Sequence, residues 1–232
     1  MYLLTETVSP FALERWAAFF ANFGQFAKGF LYTLGISIGA LIVALLLGLI
    51  FGAMSSTHNK VLRGISRVYV EIFQNTPLLV QFVVVFYGIS ILTDGHVMIP
   101  ISLTAILCVG LYTGAYISEI IRTGIEAVPK GQTEAALSQG FTYADTMRLI
   151  ILPQAVRTIL PPLTNQVVNL IKNTSTVAII SGADIMFTAK AWAYDTTNYV
   201  PAFAGAAFLY FIMCFPLATW ARRKEEENKK AY

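Results

Sequence analysis

Charged residues are scarce in this chain: aspartate, glutamate, lysine and arginine make up 12% of its 232 residues, against 56% that are hydrophobic. That balance, with a mean hydropathy of +0.64, lies outside the range of soluble domains and belongs in a bilayer. Cysteine is nearly absent. Cys108 and Cys214 each sit in an apolar stretch with no CxxC partner and no histidine neighbour, which reads as small membrane-helix residues rather than a metal or redox centre. The two histidines, His58 and His96, fall in connections expected on opposite sides of the membrane, and no HExxH occurs, which argues against an intramembrane hydrolase. No GxxxxGK[ST] stretch is present to cradle nucleotide phosphates. No basic cluster suits a nucleic acid, and the N-terminus carries neither a basic leader nor a small-residue cleavage site, so no removable signal peptide is expected.

What the chain has instead is long apolar runs. Residues 1–29 carry Trp16, Phe19, Phe20, Phe23 and Phe26 at spacings of three and four, the pattern of a helix lying along the membrane surface. Five spans are expected after it, at about 30–53, 68–92, 99–121, 158–180 and 200–220, since roughly 20 apolar residues cross a hydrocarbon core. The fold class is therefore all-α, a polytopic membrane protein with five transmembrane helices occupying residues 30–221. A charged tail, 222–232, follows them. Gly35 with Gly39 and Gly48 with Gly52 form small-xxx-small pairs, read here as helix packing.

Two spans are unusual. The second collects Glu71, Gln74, Asn75, Thr76 and Pro77 in its first third, where lipid-facing side chains should be apolar. Pro77 also frees a carbonyl that protein or water must satisfy. In the fourth, Asn165, Asn169, Lys172, Asn173 and Thr176 stand at offsets of 0, 4, 7, 8 and 11, one face of a helix, with Gln166 beside them. Such a stripe faces protein or a water-filled path. Its amides offer donors and acceptors to a zwitterion and equally serve as glue between helices, at about 0.6 to 2 kcal/mol each. For Lys172, attraction of a carboxylate stands beside pairing with Glu71 or a backbone carbonyl, while Glu119 and Arg122 are expected to pair with each other.

Charge orients the spans. Twelve lysines and arginines fall on one side, in the second connection, around 122–157 and in the tail, against Arg15, Lys28, Lys172 and Lys190 on the other. The positive-inside rule then places the N-terminus outside and the C-terminus in the cytoplasm. Residues 128–153, VPKGQTEAALSQGFTYADTMRLIILP, become a cytoplasmic island. Glu134, Ala135, Ala136 and Leu137 favour helix, Gly140 is placed to end it in a left-handed residue, and Thr142 with Asp145 has the spacing of a cap that starts a second one.

Glu134-Ala135-Ala136, Gly140 four residues later and Ile151-Leu152-Pro153 resemble the EAA loop of permease subunits of ABC importers. YVEIFQNTPLLVQ (69–81) and NLIKNTS (169–175) are similar to segments of the polar amino acid uptake family within it. The resemblance implies a prokaryotic plasma (inner) membrane permease that binds no cofactor. ATP is bound by a partner ATP-binding subunit dimer, reached through Glu134, Ala135, Ala136, Gly140 and Asp145. It further implies a second permease copy or paralogue, an extracytoplasmic amino-acid-binding protein, and a substrate path through Gln74, Asn75, Asn165, Gln166, Asn169, Lys172, Asn173 and Thr176. Gln74 replaces a usual arginine and Gln166 a frequent glutamate. Without a carboxylate in the fourth span a cationic cargo loses its partner, so a neutral-polar or acidic amino acid is expected, glutamine or glutamate foremost. The other class consistent with these features is a secondary transporter or channel subunit that works without an ATPase.

Overall fold

Long apolar runs and good helix formers leave the backbone one way to satisfy itself in lipid, and the described chain is helical throughout. The computed structural model describes residues 9 and 11–230. The first eight residues and Pro10 of the expected surface segment, and the last two of the tail, lie outside them. In order come α1 (Leu13–Ala21), α2 (Phe23–Ser55), α3 (Lys60–Gln74), α4 (Leu78–Val83), α5 (Ile89–Leu92), α6 (Ile101–Glu126), α7 (Lys130–Ser138), α8 (Tyr143–Thr146), α9 (Leu152–Asn173), α10 (Ile185–Thr196) and α11 (Tyr199–Lys230).

Helices α2 and α6 form the central pair, and glycine sets their spacing. A Cβ built on Gly48 would lie 2.4 Å from the Ile117 side chain, and one on Gly52 or Gly39 would meet Ile121 or Ile106 at 2.8 Å. Gly35 meets nothing within 4 Å, so only its partner Gly39 serves the packing expected of that pair. Ile36, Ala40, Ala44, Phe82, Val109, Ile117 and Val177 fill the core around this contact. Leu31, Ile38, Ile42, Leu46 and Leu49 remain exposed on the far face of α2, at helical spacing, as a lipid-facing stripe requires. A second core joins α1, the start of α2, α10 and α11 through Phe19, Phe26, Ile185, Trp192 and Ala206.

The expected second span is not one straight helix. The 60–74 stretch, taken as a loop at its start, is helical, and it turns by 97° into Leu78–Leu92. Pro77 supplies no N–H to continue the ladder, and Asn75 and Thr76 fold back instead: Asn75 Nδ2 donates to Glu71 O (2.9 Å) and Thr76 Oγ1 to Ile72 O (2.7 Å). The carbonyls left open are met by Gln81, whose Nε2 donates to Phe73 O and Thr76 O, both at 3.2 Å, and to Thr76 Oγ1 at 2.9 Å. A broken backbone is tolerable at membrane depth when such a partner is present.

Among the described residues three helices are long and apolar enough to cross a membrane, Phe23–Ser55, Ile101–Glu126 and Tyr199–Arg223, and the bent pair makes a fourth if it counts as one span. The fold is therefore an all-helical membrane protein with three to four such spans rather than the five expected. The missing one is the polar fourth, where α9 runs from Leu152 to Asn173 and tightens into a 3₁₀ segment, Thr174–Ile180. Its amides, Lys172 and the internal Pro161 and Pro162 keep its composition below that of a lipid-facing helix.

Candidate functional site

The 128–153 stretch folds as its residues dictate. α7 ends at Ser138, and Gly140 adopts φ +88°, a conformation open to glycine because it has no Cβ. Thr142 then caps α8, its hydroxyl accepting the Asp145 N–H at 3.2 Å and donating to Asp145 Oδ2 at 2.6 Å. Asp145 is thus held by its own cap. A π-helical turn, Met147–Ile151, carries the chain past Pro153, and Gln154 Nε2 covers the Ile150 carbonyl at 2.7 Å. The second helix therefore does not stop at Pro153 but continues into α9.

Exposure separates the residues of this hairpin. Glu134, Ala135 and Gly140 are exposed, whereas Ala136 is only 4% exposed. Of the two small residues expected to permit close approach to a partner, Ala135 is on the surface while Ala136 packs inward, where Phe141 N donates to its carbonyl at 3.2 Å. Beneath the hairpin lies a groove of about 710 Å³ lined by Ser56, His58, Glu126, Lys130, Glu134, Tyr143 and Thr146, among others. His58 reaches it from the connection between α2 and α3, with its ring edge-on to Tyr143 at a centroid separation of 5.1 Å. The sequence offered no signal for this contact, which joins residues 85 positions apart.

The residues expected to line a path fall into two groups. Gln74 and Asn75 border a cavity of about 630 Å³ between α3 and the C-terminal ends of α2 and α6, with Lys60, Arg63, Arg67, Glu71, Ser118 and Arg122. Gln74 Nε2 donates to Ala115 O at 3.2 Å, and Asn75 Nδ2 to Glu71 Oε2 at 2.7 Å. On α9, Asn165, Asn169 and Lys172 are exposed while Gln166 and Asn173 are half-buried, as is Thr176 in the 3₁₀ segment that follows. A neighbouring face, with Ala155, Ile159 and Leu170, is buried. None of the α9 residues borders the Gln74 cavity, so this chain alone does not bring the two groups together.

Lys172 does not pair with Glu71. Glu71 lies 3.8 Å from Arg67, while Lys172 sits over a small apolar groove of about 310 Å³ with Ser175, Met186, Phe203 and Tyr210. The expected pairing of Glu119 with Arg122 is present, at 2.9 Å from Arg122 Nε to Glu119 Oε2, and Glu126 joins it.

One carboxylate, Asp184, is fully buried. Asp184 caps α10, accepting the N–H groups of Phe187 (3.0 Å) and Met186 (3.1 Å) and the Tyr210 hydroxyl (3.1 Å). Thr33 Oγ1 accepts the next N–H, of Ile185, at 3.1 Å. Burial pushes the Asp184 carboxyl up to about 6, against the lowering pull of those hydrogen bonds. An aspartate at the head of a helix carries no sequence mark of burial. What hides it is the convergence of α2, α10 and α11.

Comparison with known proteins agrees with this arrangement. The chain is 37% identical over 216 residues to the probable glutamine ABC transporter permease protein GlnM of Bacillus subtilis, covering 92% of this chain and 97% of that one. It is 34% identical to the glutamate/aspartate import permease protein GltJ of Escherichia coli K12, over 82% and 85% of the two chains. The crystal structure of an amino acid ABC transporter with histidines superposes with a TM-score of 0.84 at 31% identity, covering 91% of this chain and 98% of that one. With residues 44–225 matching it as well, the chain belongs to the family of binding-protein-dependent transport system inner membrane components and is an ABC transporter permease subunit rather than an ATPase.

Proposed function

We propose that this permease carries glutamine or glutamate inward, that α9 crosses the membrane as a fifth span, and that its amide face lines the path. The exposed face of α9 is the observation that carries the reading. The side-chain amides of Asn165 and Asn169 make no hydrogen bond among the described residues and are exposed, and amides left so in lipid are costly, so this face meets a second permease, identical or related, across a watery path. The printed cargo of the relatives, glutamine in one and glutamate/aspartate in the other, supports the choice, as does the lack of a carboxylate on α9.

In this reading the N-terminus is outside and the C-terminus cytoplasmic, with α1 lying along the outer membrane surface. An extracytoplasmic binding protein delivers cargo. Glu134, Ala135 and Gly140 present α7 to an ATPase dimer, where Glu134 accepts charge-assisted hydrogen bonds. Competition assays with labelled glutamine, glutamate and arginine in cells expressing the full transporter test the cargo. Glutamine or glutamate is expected to be preferred, and preference for arginine would overturn the charge argument.

A further inference from the structure

The groove beneath the 128–153 hairpin is bridged by one contact that the family reading does not use, that of His58 on Tyr143. Its two ends are both firmly held. Tyr143 opens α8 directly after the Thr142 cap. His58 sits in a connection pinned on both sides: Ser55 and Ser56 hydroxyls donate to Gly52 O at 2.7 and 3.0 Å, and Asn59 Oδ1 accepts the N–H groups of Val61 and Leu62 at 2.9 and 3.3 Å. A push on Tyr143 is therefore not absorbed by a slack loop. It arrives at the start of α3, and α3 leads to the bend that carries Gln74 and Asn75.

We propose that His58 is a positioning residue for coupling: its ring braces Tyr143, so that movement of the hairpin reaches the bent helix α3–α4 directly as well as through α6 and α9. The brace acts by ring packing, which an aromatic replacement supplies and a small side chain does not. The proposal rests on the reading of α7 as the element an ATPase moves.

The test uses the whole transporter, permease with its ATPase and binding protein, in proteoliposomes, measuring ATP-driven uptake of labelled glutamine together with ATP hydrolysis. His58→Ala is expected to lower uptake per ATP hydrolysed by about threefold to tenfold with assembly and basal hydrolysis unchanged. His58→Phe is expected to stay within about twofold of wild type. Tyr143→Ala reproduces the alanine loss, and the double variant loses no more than either single one. Wild-type ratios in His58→Ala, an equal loss in His58→Phe, additive losses in the double variant, or failure of His58→Ala to assemble would each overturn the brace. If the wild type itself shows no ATP-driven uptake, the permease reading falls and takes the brace with it, whereas an unaffected His58→Ala beside an active wild type removes the brace alone.

Discussion

At Asp184 two demands oppose each other. The α10 amides and the Tyr210 hydroxyl favour the carboxylate, while burial favours the acid, and burial prevails. In the unfolded chain this group titrates near 3.9, and in the fold at about 6. The stability it contributes is complete below about pH 4 and is lost as pH rises through about 6, a loss on the order of 2–3 kcal/mol. Asp184→Asn keeps a capping acceptor without the charge. The variant is expected to match or exceed wild-type thermal stability in detergent at pH 8, with the advantage about halved at pH 5 and gone only below about pH 4. Lower stability than wild type at both values would contradict this account. The glycines of α2 give a paired comparison at the same scale. Gly48→Ala forces a Cβ to within 2.4 Å of Ile117 and is expected to cost about 1–3 kcal/mol. Gly35→Ala, facing open space, is expected to be neutral or to gain up to about 1 kcal/mol from helix propensity. Melting curves of the two variants distinguish the packed glycine from the idle one.

Among the elements, those set by local chemistry could be read from sequence, and those set by distant partners could not. Gly140 and the Thr142 cap are decided within a few residues, and the hairpin of α7 and α8 formed where they placed it. Pro77 announced a break, but the 97° turn depends on Gln81 reaching back to Phe73 O and Thr76 O, a feature of three dimensions. Chemistry alone left Glu71 as one of several partners for Lys172; Arg67 and Asn75 are the ones Glu71 takes. The inward turn of Ala136 and the His58 contact were likewise invisible, since each depends on how the hairpin docks on its own chain. Gly140→Asp is the direct probe of the hairpin. A side chain at φ +88° costs about 1–2 kcal/mol locally, too little to unfold the chain. The variant should therefore reach the membrane folded yet lose ATP-driven uptake, as judged by detergent stability beside transport. Normal uptake would remove the coupling role of the hairpin.

Taken whole, the proposed function makes the molecule one half of a conduit. α2 and α6 give it a glycine-packed spine, α2 turns an apolar stripe outward, and α9 exposes Asn165, Asn169 and Lys172. Composition made the membrane setting plain. The number of crossings turns on α9, a span in the sequence reading, whose polarity sets it apart from the long apolar helices. The central claim is that cargo moves through this chain only when a separate ATPase turns over. Uptake of labelled glutamine into proteoliposomes containing the permease and binding protein, with and without the partner ATPase, tests it most directly. The account predicts accumulation that needs both the ATPase and ATP; accumulation driven by an ion gradient in the absence of the ATPase would contradict it.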